Sequence, residues 1–154
     1  MNNKILYLKS YILNQAFTLI ELLVVIGLLG IIVGIIFSVS VSSQKQANDT
    51  QRKSDLKQYQ TVIEAYGARN NGNYISQAAA VDITTLCVTL GLTVCVTDPK
   101  NVSPYIYKYI SDATGSGYVI WAKMESSSSL YWIVCSNGKS ATFATEPTSV
   151  TCPI

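Results

Sequence analysis

The sequence contains no histidine, and its charges are distributed very unevenly along the chain. Histidine is the usual general base at neutral pH and a frequent metal ligand, so its absence excludes Ser-His-Asp triads and imidazole metal sites. Only Glu21 is charged between Lys9 and Lys45, and no proline lies between Phe17 and Asn73. These absences favour a long apolar helix and argue against an enzyme.

The formal net charge is small, at +2 for eleven Lys and Arg against nine Asp and Glu. Two of the basic residues, Lys4 and Lys9, precede Phe17, so the chain from Phe17 onward is formally neutral. This balance does not predict a nucleic-acid-binding protein, and no cofactor is predicted. Binding or conduction through the ten Tyr and two Trp is a weaker hypothesis, because most of these residues occupy strand positions. DNA binding would depend on three lysines: Lys100, Lys108 and Lys139.

Residues 17–41 form a long apolar stretch, which follows the short basic segment 1–16. A helix over this stretch spans roughly 38 Å, more than the roughly 30 Å of a bilayer's hydrocarbon core. The basic flank predicts a single-pass membrane protein with its N-terminus inside. A carboxylate costs about 2.5–3.5 kcal/mol at the centre of a membrane helix, so Glu21 is expected to have a partner or a function.

Residues 42–73 predict a continuation of the same helix. Its first part, 42–55, is polar on every face, and Asp49 can reach Arg52 and Lys53 at i+3 and i+4 spacing, which predicts a solvated surface. Beyond it, apolar residues recur every three or four positions: Leu56, Tyr59, Val62, Ile63 and Tyr66. This second half is therefore amphipathic and suited to packing on a sheet.

Residues 74–154 predict a small globular domain with a connecting loop and antiparallel strands. The loop is expected to hold a short helix or strand near Ile83–Leu90. Alternating apolar residues and turn signals predict these strands: Tyr105–Ile110, Tyr118–Met124, Leu130–Cys135 and, as a candidate fourth, Lys139–Thr145. The predicted fold class is α+β, with one long N-terminal helix packed on a three- to four-stranded antiparallel sheet.

All four cysteines lie in the C-terminal half: Cys87, Cys95, Cys135 and Cys152. An even number placed after a membrane span predicts disulfides formed in an oxidising compartment. Four cysteines allow three pairings. We favour Cys87–Cys95, since a short separation suits a local bridge, together with Cys135–Cys152. A zinc ion bound by all four thiolates is the alternative on cysteine count alone.

The junction AFTLIE at residues 16–21 resembles the processing site of type IV prepilins and pseudopilins. In that family a peptidase cuts before the Phe and methylates the new amine, which implies cleavage between Ala16 and Phe17 and methylation of Phe17. The family usually has Gly before the cut, and we expect cleavage here because Ala16 is small. The resemblance also implies that Glu21 pairs with the N-terminal amine of a neighbouring subunit and sets the axial register. An uncleaved signal anchor is the alternative.

This resemblance implies a pilin, the structural subunit of a type IV pilus. Residues 1–16 would be a cleaved leader, and the mature chain would polymerise from the cytoplasmic membrane into a homo-oligomeric helical fibre at the cell surface. The implied partners are the prepilin peptidase and methyltransferase, the pilus assembly platform and membrane lipid. The pair Cys135 and Cys152 resembles the disulfide-bounded loop of many type IV pilins.

A second interpretation within the family is the major pseudopilin of type II secretion. The residues that carry this likeness are Ala47, Asp49, Thr50, Arg52, Lys53, Asp55 and Leu56, followed by Tyr74. Major pseudopilins commonly lack disulfides and carry a calcium loop near the C-terminus. This chain has four cysteines, and Asp98 and Asp112 are isolated in sequence, so we favour the pilin.

Overall fold

The computed structural model describes residues 17–153 and, within that range, all side chains except those of residues 36–40. The predicted leader 1–16, including Ala16, lies outside the described residues. The chain divides into two units with a boundary between Val39 and Ser40, and each unit is considered separately below.

A single helix, α1, runs through both units from Leu19 to Arg69. It ends where Asn71 adopts a left-handed conformation, with φ of 56°, and Gly72 N–H donates to the carbonyl of Gly67 at 2.8 Å. A hydrogen bond from residue i+5 back to residue i, closed by a left-handed residue, is typical of a Schellman motif. This motif satisfies the last carbonyl groups of a helix. The Asn-Gly stop signal in the sequence therefore ends the helix by an identifiable local mechanism.

The second unit contains a five-stranded antiparallel sheet whose strands are ordered as they occur in the sequence. Its strands are β1 (Val81–Asp82), β2 (Lys108–Ser111), β3 (Tyr118–Lys123), β4 (Tyr131–Cys135) and β5 (Ser140–Phe143). Between β1 and β2 lie a 3₁₀ helix, Ile83–Leu86, and a one-turn helix, α2, Cys87–Leu90. The predicted α+β class with a long N-terminal helix is confirmed.

The prediction of three to four strands was wrong, because β1 adds a fifth. This strand has only two residues, and it pairs Val81 with Tyr109 and Asp82 with Lys108. Two residues cannot show an alternating pattern, so β1 exists only through its pairing with β2. Strand β2 also begins later than predicted, since Tyr105 N–H donates back to the carbonyl of Val102 and closes a turn before it.

Each face of the sheet carries its own hydrophobic cluster. The larger cluster lies on the α1 side and includes Leu56, Tyr59, Ile63, Tyr109 and Ile120, all at most 2% exposed. The smaller cluster lies on the opposite face and is built from Ile110, Val119, Trp121, Ile133 and Cys135, with Cys152 of the C-terminal tail packed against it. Because both faces are covered, β3 is buried along nearly its whole length.

Buried tyrosines in the larger cluster keep their hydroxyl groups hydrogen-bonded. Tyr107 donates to Asp55 at 2.6 Å, Tyr118 donates to Glu64 at 2.7 Å, and Tyr59 donates to the carbonyl of Val96 at 2.6 Å. Burying an unpaired hydroxyl would cost free energy, and these bonds remove that cost. These three tyrosines therefore belong to the core, with their hydroxyl groups satisfied inside it.

Candidate functional site

The first turn of α1 is closed by three reciprocal hydrogen bonds between Thr18 and Glu21. Glu21 Oε2 accepts from the backbone N–H of Thr18 at 3.1 Å and from its hydroxyl at 2.8 Å. In return, Thr18 Oγ1 accepts from the backbone N–H of Glu21 at 3.3 Å. This arrangement is a capping box, in which a Thr before the helix and a Glu three residues later satisfy each other's free donors. Glu21 is therefore held in a defined position at the start of an apolar helix.

The capping box was missed in the sequence, although the T-x-x-E spacing is a recognised signal for a helix start. The hypothesis drawn from the resemblance concerned another partner for Glu21, the amine of Phe17. In the intact chain the Phe17 nitrogen is a peptide amide, so that amine exists only after cleavage. Phe17 itself is 80% exposed next to this carboxylate.

From Phe17 to Ile35, the part of the first unit whose side chains the structure describes, the large apolar side chains are all exposed. Leu19 is 88% exposed, Ile26 59% and Ile35 60%, although each would ordinarily be expected in a protein core. A contiguous exposed apolar surface of this kind marks a site of contact with another protein or with lipid. Over the residues that the structure describes, no helix is both long enough and apolar enough to cross a membrane.

A second constellation lies in the other unit, where Arg52 is fully buried among carboxylates. Its guanidinium donates two bonds to Asp98, from Nε to Oδ2 at 2.5 Å and from Nη2 to Oδ1 at 2.8 Å. It also donates from Nη1 to Asp49 Oδ1 at 2.9 Å and from Nη2 to Glu125 Oε1 at 2.7 Å. The two-pronged contact with Asp98 is the strong, directional form of an arginine–carboxylate pair.

Neighbouring groups donate further hydrogen bonds to these carboxylates. Glu125 also accepts from Lys100 Nζ at 2.8 Å and from the Asn48 amide at 2.9 Å. Asp49 accepts from the backbone N–H of Glu125 at 2.7 Å and from that of Ser126 at 2.9 Å. The cluster thus joins α1, the loop before β2 and the segment after β3, and we call it the Arg52 cluster.

Hydrogen bonds in the Arg52 cluster favour the charged forms of Asp49, Glu125 and Arg52. Burial opposes the charge on Asp49, but the N–H groups of Glu125 and Ser126 and the guanidinium of Arg52 outweigh it and lower its pKa. Burial likewise opposes the charge on Glu125, whose pKa is lowered by hydrogen bonds from Lys100, Arg52 and Asn48. The same carboxylates raise the pKa of Arg52 in spite of its burial.

The Arg52 cluster contradicts one interpretation of the sequence. The stretch 42–55 was predicted to be a solvated surface, but Arg52 is 0% exposed and Asp49 4%. Asp98, which is isolated in sequence, is the two-pronged partner of Arg52 in the fold. Helical spacing could identify the pair of Asp49 and Arg52, whereas the other partners come from segments far along the chain, which no local pattern connects.

The four cysteines are paired in the structure, Cys87 with Cys95 and Cys135 with Cys152. This is the pairing that we favour from the sequence. The first bridge closes the loop after α2, and the second ties the C-terminal tail to β4. The presence of disulfides is confirmed, and these thiols are not available as zinc ligands.

The three lysines considered for DNA binding occupy different surroundings. Lys100 is ion-paired with Glu125 at 2.8 Å, and Lys108 is ion-paired with Glu146 at 3.0 Å. Lys139 is exposed next to the turn between β4 and β5. Among the residues described, no group of three or more His, Cys, Asp or Glu side chains is arranged to hold a metal ion.

Comparison with known proteins found two similarities. Residues 13–37 match the model of the prokaryotic N-terminal methylation motif. The type IV wide pilus major component PilA4 of Thermus thermophilus is 29% identical over 107 residues, which are 70% of this chain and 78% of that protein. No solved structure matches the chain.

These findings define a protein with a prepilin-type N-terminus and an α+β domain. The chain carries the prokaryotic N-terminal methylation motif and is similar to a type IV pilus component.

Proposed function

We propose that this chain is a structural subunit of a type IV pilus. The observation that carries the proposal is the first turn of α1, where a single carboxylate, Glu21, is fixed by Thr18 at the start of an exposed apolar helix. The relative from Thermus thermophilus is a major component of a type IV wide pilus, which supports a pilus in preference to another assembly.

Processing would convert this turn into an assembly site. Cleavage between Ala16 and Phe17 would create a positive amine, subsequently methylated, at i and i+4 spacing from Glu21. Thr18 already orients the Glu21 carboxylate, so less conformational entropy would be lost when a neighbour's amine binds it. Between apolar helices such an ion pair would be weakly screened, and a misplaced Glu21 would remain buried without a partner. The pair therefore favours one axial register.

The exposed apolar surface of the first unit would serve two environments in turn. Before assembly, residues 17–41 would anchor the chain in the cytoplasmic membrane with the N-terminus inside. After leader removal, the same surface would pack against the equivalent helices of other subunits in the fibre. Lipid tails and apolar side chains are similar surroundings, so transfer between them costs little for the apolar residues.

The proposed role is structural and not catalytic. The carboxylates that the fold brings together at Asp49, Asp98 and Glu125 are committed to ion pairs with Arg52 and Lys100. A general acid or base needs a proton that it can exchange near the working pH, and the lowered pKa values of Asp49 and Glu125 move these two carboxylates away from that range.

The second candidate is the major pseudopilin of type II secretion, which the segment from Ala47 to Leu56 resembles. The two disulfides and the pilus relative favour the first candidate. Deleting the type IV assembly motor or the type II secretion motor in the source organism separates them. A pilin should disappear from the cell surface only when the type IV motor is lost.

The decisive test is to determine the covalent structure of the protein in sheared surface fibres. Intact mass and N-terminal sequencing should give a chain that begins with methylated Phe17 and contains two disulfides. A chain that retains Met1 and is found only in membranes would contradict the proposal. The Ala16→Gly variant is a useful reference, since it restores the residue usual in the family and should be cleaved at least as fast.

A further inference from the structure

A groove beside the Arg52 cluster combines apolar lining with two ammonium groups. It encloses about 430 Å³ and lies wholly within the second unit. Its lining residues are Val41, Gln44, Lys45 and Asn48 on α1, with Lys100 and Glu125 opposite. The helical residues follow i, i+3, i+4 and i+7 spacing, so they form one stripe along α1. One wall of the groove is therefore formed by a single face of α1.

The groove contains one ammonium group outside the Arg52 cluster, that of Lys45. Glu125 is shared between Arg52 and Lys100, so its carboxylate is already compensated from within the protein. Lys45 is exposed and makes no ion pair within the part of the chain that the structure describes. The Lys45 ammonium is thus available for an anion from outside, and Lys100, whose side chain is 43% exposed, lies beside it.

Outside its core the second unit has more basic than acidic residues, although its sequence is close to neutral. From Ser40 to Pro153 the chain has nine basic and eight acidic residues. One basic residue, Arg52, is buried, but four acidic ones are: Asp49, Asp55, Asp98 and Glu125. Eight basic and four acidic residues remain outside the core, so folding converts a balanced sequence into a positive surface that attracts anionic partners.

The position of the groove along α1 indicates which kind of anion the groove would bind. Val41 is the last residue of the apolar stretch and is 64% exposed at the mouth of the groove. Lys45 follows one helical turn later, about 6 Å along the axis. Lysines one turn beyond an apolar helical segment lie at the depth of lipid phosphates, where their apolar stems cover hydrocarbon and their ammonium groups reach water.

We propose that this groove binds the headgroup phosphate of an anionic phospholipid while the chain is anchored in the membrane. Lys45 and Lys100 contact the phosphate, and Val41 contacts the glycerol and upper acyl chain. The groove releases the lipid when the subunit leaves the membrane. This inference depends on the proposed function, because a chain that never enters a bilayer has no lipid beside Val41.

The test uses the full-length chain in nanodiscs of phosphatidylcholine, with or without added phosphatidylglycerol. Lysine acetylation rates are followed residue by residue by mass spectrometry. Phosphatidylglycerol should slow acetylation of Lys45 and Lys100 by about fivefold each, the order expected for a basic residue at an anionic surface. Lys57 and Lys139 are exposed elsewhere in the unit and should be unaffected. The slowing should diminish at high salt, because screening weakens exposed charge pairs.

Variants test the same groove through the lipid that co-purifies with the protein. Lys45→Gln with Lys100→Gln should lose phosphatidylglycerol retained in native mass spectra, whereas Lys57→Gln with Lys139→Gln removes equal charge and should keep it. Lys45→Gln alone leaves the ion pair between Lys100 and Glu125 intact, so its loss of lipid cannot be attributed to a damaged Arg52 cluster.

Two results would contradict the proposed lipid site without contradicting the proposed pilus function. One is an equal acetylation rate for Lys45 and Lys100 in the two lipid mixtures. The other is uniform slowing of every lysine, which indicates diffuse attraction without a site. A third result, release of the wild-type chain from bilayers by alkaline carbonate, overturns both the groove and the proposed membrane anchoring.

Discussion

The two units of this chain differ in which kinds of side chain they expose and which they bury. In the first unit, large apolar side chains such as Leu19 and Ile35 are exposed by 88% and 60%. In the second unit, charged side chains such as Arg52 and Asp98 are 0% and 3% exposed. An ordinary soluble domain shows neither feature, because burial of apolar groups drives folding and burial of charge opposes it.

The difference shows where each unit obtains its stability. The second unit obtains its stability internally, since its hydrophobic clusters cover both sheet faces and its buried charged side chains are hydrogen-bonded within the unit. In the proposed function, the exposed apolar surface of the first unit is covered by lipid or by other subunits. Four perturbations, ordered from the largest expected effect, test this division.

Replacing Glu21 by Ala should abolish fibre assembly and leave the second unit folded. The apolar helix remains, but the amine of an adjacent subunit has no carboxylate to fix the register. Fibre yield is measured by electron microscopy and by the amount of sheared protein. Folding is measured by unfolding of the full chain in detergent, followed by fluorescence of Trp121 and Trp132.

The matched control is Glu146→Gln, which removes a carboxylate of the second unit that is ion-paired with Lys108. It should assemble normally. If Glu21→Ala still forms fibres in wild-type amounts, the carboxylate does not govern assembly.

Replacing Arg52 by Met should destabilise the second unit by about 3–5 kcal/mol, the usual cost of leaving buried charges without their partner. Three carboxylates would remain buried around an apolar side chain. Chemical unfolding in detergent, monitored by tryptophan fluorescence, gives the change in free energy. Arg69→Met, at the exposed C-terminal end of α1, is the matched control and should change stability little. A small effect at Arg52 would show that the cluster contributes little to the fold.

Replacing Cys135 and Cys152 together by Ser should cost about 3 kcal/mol in the chain-entropy model for a loop of this length. The tail would lose its covalent tie to β4, and the smaller hydrophobic cluster would lose its cover. Unfolding of the double variant under non-reducing conditions measures this cost. Equal stability of the double variant and the wild type would show that packing alone holds the tail.

Acidification should weaken the second unit below about pH 4.5. The folded-state pKa values of Asp49 and Glu125 lie below their ordinary values of 3.8 and 4.5, because hydrogen bonds outweigh the effect of burial. The unfolded chain therefore takes up protons first, and this stability is lost as pH falls through the folded-state values. Unfolding free energy measured against pH checks the effect. Arg52→Met should show a weaker dependence over this range, and an identical slope would assign the protons to other groups.

Features of the fold that depend on neighbouring residues were predictable from the sequence. The long helix follows from the absence of proline and from apolar spacing, and β3 and β4 follow from alternation and turn residues. The helix stop at Asn71 and Gly72 was predictable for the same reason. The capping box at Thr18 and Glu21 was equally predictable, since its T-x-x-E signal is local.

Features that depend on distant residues were not predictable. Strand β1 has two residues and exists by pairing with β2, which follows it after a loop and two helical turns. The Arg52 cluster draws Asp98 and Glu125 from segments 46 and 73 residues away. Before folding, Asp98 and Glu125 look like any solvated acidic residues.

The sequence by itself determined the apolar stretch that begins at Phe17, the single carboxylate within it and the helix that carries both. Each of these rests on interactions within a few residues, which folding does not rearrange. The tertiary structure alone decided that Arg52 is buried and that the surface from Ser40 onward is basic. Charge burial depends on which partners meet, and partners distant in sequence meet only when the chain folds.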